Sequence, residues 1–214
     1  MMRAPLPAEW PTLQAEQALW QSGCRLVAGL DEAGRGAWAG PVFAAAVILP
    51  PVAEIAERLK GVRDSKQMTP PQREAWAEVI RQAAAYWGIG EASHAEIDQY
   101  GIVAATRLAM QRALLACGSA PAHLLIDALR LPQVGIPQTA LIHGDRQSLS
   151  IAAASVLAKT ARDDWMRAQE EHFPGYGFAA HKGYGTARHR AALERLGPCP
   201  LHRRSFAPVR QVCR

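Results

Sequence analysis

Arg25-Leu26-Val27-Ala28-Gly29-Leu30-Asp31-Glu32-Ala33-Gly34-Arg35-Gly36 is the stretch on which the reading of this chain turns. An apolar run of strand length delivers two adjacent acids and then a glycine-rich turn. Residues 24–30 read as a strand, and the same grammar recurs downstream. Leu124-Leu125-Ile126 ends in Asp127, and Ala140-Leu141-Ile142-His143-Gly144 ends in Asp145. A further run, residues 41–49, is rich enough in Val, Ile and Phe to be a buried strand. In an open α/β sheet, ligands collect beyond the carboxyl ends of the strands. Parallel neighbours would therefore bring Asp31, Asp127 and Asp145 to one edge, with Glu32 beside them.

Helix signals fill the intervals. Thr69 with Gln72, followed by prolines at 70 and 71, opens a helix expected over residues 74–87. Ser93 with Glu96 opens another, expected to continue through Gly101 to residue 115. Residues 13–20, 148–172 and 187–196 read as helices, the long one stopped by Pro174. The order of strands and helices predicts an α/β fold with a mixed sheet. His94 and Asp98 stand four apart, a spacing open to a metal, but the capping pattern accounts for that segment without one.

The chain has 214 residues, 49% hydrophobic and 20% charged, which suits one globular domain and argues against disorder. The expected organisation is a lead-in at 1–23 and a domain at 24–214, with a core to about residue 172 and a basic extension over 173–214. From His181 onward, eight Lys and Arg face the single acid Glu194. That segment carries +7 of a total of +5, leaving −2 for the rest. Positive charge gathered at one end suits a phosphate backbone, though a solvated helix would look the same. Cys24, Cys117, Cys199 and Cys213 show neither zinc spacing nor paired spacing and read as thiols of a reducing compartment. Prolines at 5, 7 and 11 interrupt the beginning of the chain, and no stretch approaches the ~20 apolar residues of a membrane span. The expectation is a soluble, cytoplasmic protein.

Carboxylates crowded together repel, and their pKa values rise unless something neutralises them. Oxygen ligands without cysteine suit Mg²⁺ or Mn²⁺. Two such ions ~3.5–4 Å apart serve in-line phosphoryl displacement. Adjacent strand residues face opposite ways, so Asp31 and Glu32 share a site only if the strand ends or bulges between them. Each acid taken alone is an ordinary strand-end or turn carboxylate. Several at once, at the ends of apolar strands, call for a partner.

Gly29-Leu30-Asp31-Glu32-Ala33-Gly34-Arg35-Gly36, with Gly40 and Val42, resembles the signature of the ribonuclease HII family. Asp64-Ser65-Lys66, Ile126-Asp127, Gly144-Asp145, residues 151–159, Tyr176-Gly177-Phe178, His181-Lys182-Gly183-Tyr184 and His202-Arg203-Arg204-Ser205-Phe206 follow in order. The resemblance implies a ribonuclease H-like mixed sheet flanked by helices, with a C-terminal helical extension. It implies a monomer that acts on RNA–DNA hybrids and on DNA containing ribonucleotides, cutting 5′ of a ribonucleotide to leave 3′-hydroxyl and 5′-phosphate ends. Its catalytic and metal-binding acids fall on Asp31, Glu32, Asp127 and Asp145. Gly34, Arg35 and Gly36 would contact the ribose 2′-hydroxyl, Tyr184 would stack on the neighbouring sugar, and Lys66, Lys159 and Lys182 would meet phosphates. Three places depart from the pattern: Ala128 where glycine is common, His143 where lysine is expected, and Ala37-Trp38 where Pro-Leu is frequent. The long N-terminal extension of ribonuclease HIII has no counterpart ahead of residue 24, which points to type HII.

Without the resemblance, Gly34-Arg35-Gly36 reads as a tight turn, and Tyr184 is equally a half-buried loop aromatic. A non-catalytic nucleic-acid binding module using the basic tail is the alternative function. Asp163 and Asp164, between Arg162 and Arg167, read as ion-pair partners within the long helix.

Overall fold

The computed structural model describes residues 10–212. In chain order these form α1 (Gln14–Gln21), β1 (Val27–Ala33), β2 (Val42–Ile48), α2 (Glu54–Arg58), α3 (Pro70–Ala83), β3 (Tyr86–Ala92), α4 (His94–Tyr100), α5 (Ile102–Ala116), β4 (His123–Asp127), β5 (Gln138–Leu141), α6 (Leu149–His172), α7 (Phe178–His181), α8 (Ala187–Leu196) and α9 (Ala207–Val212). The reading of the first nine residues and the Cys213 thiol lie outside the described residues.

The strands make one mixed sheet, ordered β3-β2-β1-β4-β5. β1 runs antiparallel to β2, and β2 to β3, whereas β1–β4 and β4–β5 are parallel. One face packs on α3 and α6 through Ala45, Val47, Ile80, Ala153 and Val156. The other packs on α5 through Leu30, Ala46, Ile48, Ala109 and Met110. A smaller cluster joins Met166 of α6 to Tyr176, Phe178, Ala192 and Leu201, packing the helical C-terminal part against α6.

Close approach of α6 to the sheet has a local cause. A Cβ on Gly29 would lie 2.2 Å from the Ser150 carbonyl carbon, so only glycine lets the first turn of α6 cross β1 there. That turn is capped twice: Ser148 Oγ accepts the Ile151 amide at 3.2 Å, and Glu16 of α1 accepts the Ser150 amide at 2.9 Å and the Ser148 hydroxyl at 2.6 Å.

Four boundaries differ from those the sequence predicts. β1 does not stop at Leu30 but runs on to Ala33, so Asp31 and Glu32 lie inside a strand. The helix from Pro70 ends at Ala83, and Tyr86–Ala92 is an edge strand rather than its last turn. Gly88 and Gly90 explain that strand, because a Cβ at either would lie 2.4 Å from the α5 backbone. At Gly101, φ of +80 breaks what was expected as one helix into α4 and α5. β5 ends at Leu141, and Asp145 follows in the 3₁₀ turn Gly144–Arg146. No helix among the described residues is long and apolar enough to cross a membrane.

Candidate active site

β1 brings the first two acids, and its pairing shows what flanks them. The ladder to β2 is unbroken through Asp31↔Ala45, Glu32↔Ala44 and Ala33↔Phe43, so there is no bulge. The ladder to β4 stops at Leu30↔Ile126. Asp31 and Glu32 therefore stand where one flank of β1 is released. The strand thus neither ends nor bulges between them, although one or the other is the condition expected for a shared site.

Asp31 is buried, and its Oδ1 accepts the Glu32 amide at 2.7 Å. Burial, then Glu32 and Asp127, raise it well above the ordinary carboxylate range, against bonds from Ser155 and the Glu32 amide. Glu32 is also raised, chiefly by burial, although Arg35 opposes that through a 3.1 Å contact with Oε1. Its second oxygen, Oε2, is buried with no hydrogen-bond partner. Asp127 closes β4, and its Oδ1 accepts the Gly144 amide at 2.7 Å, which ties the end of β4 to the turn that carries Asp145. Burial, then Asp64 and Asp127, push Asp145 up to about 6.

Asp64 is an acid to which the sequence reading gave no role. It is buried, accepts the Lys66 amide at 2.9 Å, and faces Arg146 at 3.6 Å. The signal was in the Asp64-Ser65-Lys66 motif, where only the lysine drew attention. Burial works against the charge on Lys66, but Asp64, Asp31, Asp145 and Asp127 outweigh it and raise its pKa.

Beside the acids lies a cleft of about 280 Å³, whose lining includes Glu32, Gly34, Arg35, Gly36, Lys66, Lys159 and Tyr184. Gly34 and Gly36 play different parts. Gly34 has φ of +98, and a Cβ there would sit 1.9 Å from Arg162 Nε, so the protein's own packing demands glycine. A Cβ on Gly36 would meet nothing within 4 Å, so its bare side faces open space. The Arg162 guanidinium lies 5.2 Å from the Tyr184 ring centre and donates to the Pro41 and Lys182 carbonyls, each at 3.0 Å. Lys159 Nζ is 5.5 Å from the same ring and pairs with Asp163.

Two basic residues stand elsewhere than the sequence suggests. Lys182 is not in the lining, and its ammonium bonds the Ala179 carbonyl. Arg203, counted in the phosphate-facing tail, is fully buried and donates to the carbonyls of Gly40 at 2.9 Å, Arg35 at 2.9 Å and Pro41 at 3.1 Å. It braces the glycine turn from behind, whereas its neighbour Arg204 is exposed. The His94–Asp98 spacing is structural: Asp98 accepts the Arg204 and Ser205 amides at 2.8 and 2.9 Å. Ala128 and His143 both sit at left-handed φ, +51 and +55, which is why a glycine is at home at the first.

An all-oxygen acidic set with one buried oxygen unpartnered and carboxyl pKa values raised by burial and then by neighbouring acids fits a hard divalent cation. Among the described residues no three His, Cys, Asp or Glu side chains converge closely enough to hold a metal ion between them.

The family model for Ribonuclease HII matches residues 28–209. Ribonuclease HII of Synechococcus sp. (strain JA-3-3Ab) is 58% identical over 202 residues, spanning 94% of this chain and 90% of the relative. Among solved structures, ribonuclease H2 from Pyrococcus horikoshii OT3 superposes with a TM-score of 0.73 at 24% identity, over 87% of this chain and 96% of the other. Bst-RNase HIII in complex with Mn²⁺ superposes with a TM-score of 0.71 at 21% identity, over 92% of this chain and 71% of the other. At these identities the two structures speak for the fold.

Proposed function

The chain belongs to the ribonuclease HII family, and from that premise we propose that it is a divalent-metal-dependent endonuclease that cuts the RNA strand of RNA–DNA hybrids and nicks 5′ of a single ribonucleotide in duplex DNA. Membership makes it a ribonuclease H, a phosphodiester hydrolase. The finer statements about metal, substrate and residues are our reading. The observation that carries them is the buried, partnerless Glu32 Oε2 among acids that raise one another's pKa values, at the edge of the cleft formed by Gly34–Gly36 and Tyr184.

Asp31, Glu32, Asp127 and Asp145 would hold Mg²⁺ or Mn²⁺. When bound, the ions supply an activated water and charge stabilisation for the leaving oxygen. The rest falls to the protein. Open space at Gly36 admits a ribose edge to the turn, where a 2′-hydroxyl distinguishes RNA from DNA. Tyr184 offers a ring face to the adjoining sugar. Lys66 and Lys159 present positive charge along the cleft for phosphates, and Arg35 holds Glu32.

The test is a duplex DNA carrying one ribonucleotide, incubated with and without EDTA, beside an all-DNA duplex. Cleavage 5′ of the ribonucleotide, abolished by EDTA and absent from all-DNA, is expected. Asp127→Asn should lower it by at least ~10²-fold in a folded protein. Binding that survives EDTA with no cleavage under any metal would instead make the chain a binding module.

A further inference from the structure

Three histidines that the reaction does not use are gathered behind the Tyr184 loop. His189 and His202 are fully buried, with their Nε2 atoms 3.1 Å apart. His181 stacks on His189, ring centres 4.4 Å apart at 14°. Apart from a longer, 3.3 Å approach of His202 Nδ1 to the Cys199 carbonyl, their hydrogen bonds agree on one placement of the protons. His189 Nδ1 lies 3.0 Å from the Tyr184 carbonyl, which only accepts, so Nδ1 carries the proton and Nε2 is the acceptor. His202 Nε2 must then be the donor, which leaves its Nδ1 to accept the Cys199 amide at 3.0 Å. The Cys199 thiol, at 3.1 Å, points to the same nitrogen. His181 obeys the same logic: Nε2 donates to the Tyr176 carbonyl at 2.8 Å, and Nδ1 accepts the Gly183 amide at 3.2 Å.

A directional chain results: Cys199 N–H to His202, His202 to His189, His189 to the Tyr184 carbonyl. Its root is next to a second brace, because Arg203 reaches the Arg35 carbonyl of the glycine turn at 2.9 Å. Two consecutive residues thus hold the two walls of the cleft, His202 the Tyr184 wall and Arg203 the Gly34–Gly36 wall. We infer that His202 and His189 are positioning residues whose neutral imidazole relay fixes the Tyr184 ring over the cleft and thereby sets recognition of a lone ribonucleotide. This rests on the reading of Tyr184 as the residue that stacks on the sugar. Burial independently favours neutral rings, holding both His189 and His202 down at about 4.

Full-length protein is tested in a double-mutant cycle, with kcat/KM measured on the one-ribonucleotide duplex. His202→Phe keeps an aromatic ring and removes both bonds. It should lower kcat/KM by about tenfold, the fold-change expected for one buried hydrogen bond left unmade. In a Tyr184→Ala background the same change should cost less than about twofold, because it acts through the residue already removed. An equal loss in both backgrounds would show general structural damage and overturn the relay. No loss from Tyr184→Ala alone would overturn the stacking reading first, and the relay with it. Should His202→Phe not fold, imidazole ¹⁵N spectra of the unmutated protein at pH 7 decide. Neutral His189 protonated on Nδ1 and neutral His202 protonated on Nε2 are expected, and a charged ring or the opposite tautomer in either overturns the inference.

Discussion

Gly34 and Gly36 are two residues apart in one turn, yet they answer to different demands. Gly34 sits in the left-handed region against the Arg162 side chain, so Gly34→Ala forces both backbone strain and a clash. Its melting temperature should fall, and activity with it. Gly36→Ala meets no protein atom, so it should melt like the parent. If the open space at Gly36 belongs to a ribose, the same variant should cut the one-ribonucleotide duplex markedly less well. Paired melts and cleavage rates separate the two effects. A Gly36→Ala protein with full activity would remove the sugar from that space. From sequence the two glycines look alike, because the atoms that distinguish them come from Arg162, far along the chain.

α6 orders much of the site. Its first turn is clamped by Glu16 and passes over Gly29, its middle presents Ser155 to Asp31, and further along it carries Lys159, Arg162 and Asp163. The ion-pair reading of Asp163 agrees with where the helix puts it, and Asp145 as a site acid is our proposal. Asp145 precedes α6 and feels the negative charges of Asp64 and Asp127, while buried Asp163 contacts Arg73 of α3 at 3.1 Å and pairs with Lys159. Asp145→Ala should therefore remove most activity from a folded protein. Asp163→Ala strands two partly buried cations and should cost ~3–5 kcal/mol of stability. Its activity per folded molecule should stay within about tenfold. Specific activities measured beside denaturant melts check both, and a dead but stable Asp163→Ala beside an active Asp145→Ala would reverse the roles.

Across the protein, two groups of buried titratable residues pull stability in opposite directions with pH. Asp145 is raised from 3.8 to about 6, so between these values the folded state binds more protons than the unfolded one, and stability falls as pH rises. His189 and His202 are lowered from 6.5 to about 4, so over nearly the same interval the unfolded state binds more protons, and stability rises with pH. The pH profile without metal is therefore a poor report on the acids alone. The increment added by Mg²⁺ or Mn²⁺ isolates them, because cation binding relieves carboxylate repulsion only when the acids are ionised. The gain in Tm on adding metal should be larger at pH 7 than at pH 5. An equal gain at both, or none, would argue against a cation among these carboxylates.

Local pattern was enough for much of this protein. Apolar runs ending near acids, the two capping boxes and the long helix after Ser148 are short-range regularities, and they led to a mixed α/β sheet with Asp31, Glu32, Asp127 and Asp145 drawn toward one edge. What local pattern misjudged was governed by contacts from distant parts of the chain. Tyr86–Ala92 is a strand because β2 offers it a ladder and α5 packs onto its glycines, although Tyr86 and Trp87 read in sequence as the end of the preceding helix. Asp31 and Glu32 stand at a released flank of β1 because its pairing with β4 ends at Leu30, a matter of register between strands more than ninety residues apart. Arg203 turned from a presumed surface charge into an internal brace, and the histidines joined into a relay, because burial and hydrogen-bond partners are properties of packed space. Residue type and spacing specify which groups are present, while the direction each one faces is settled only when the elements close on one another.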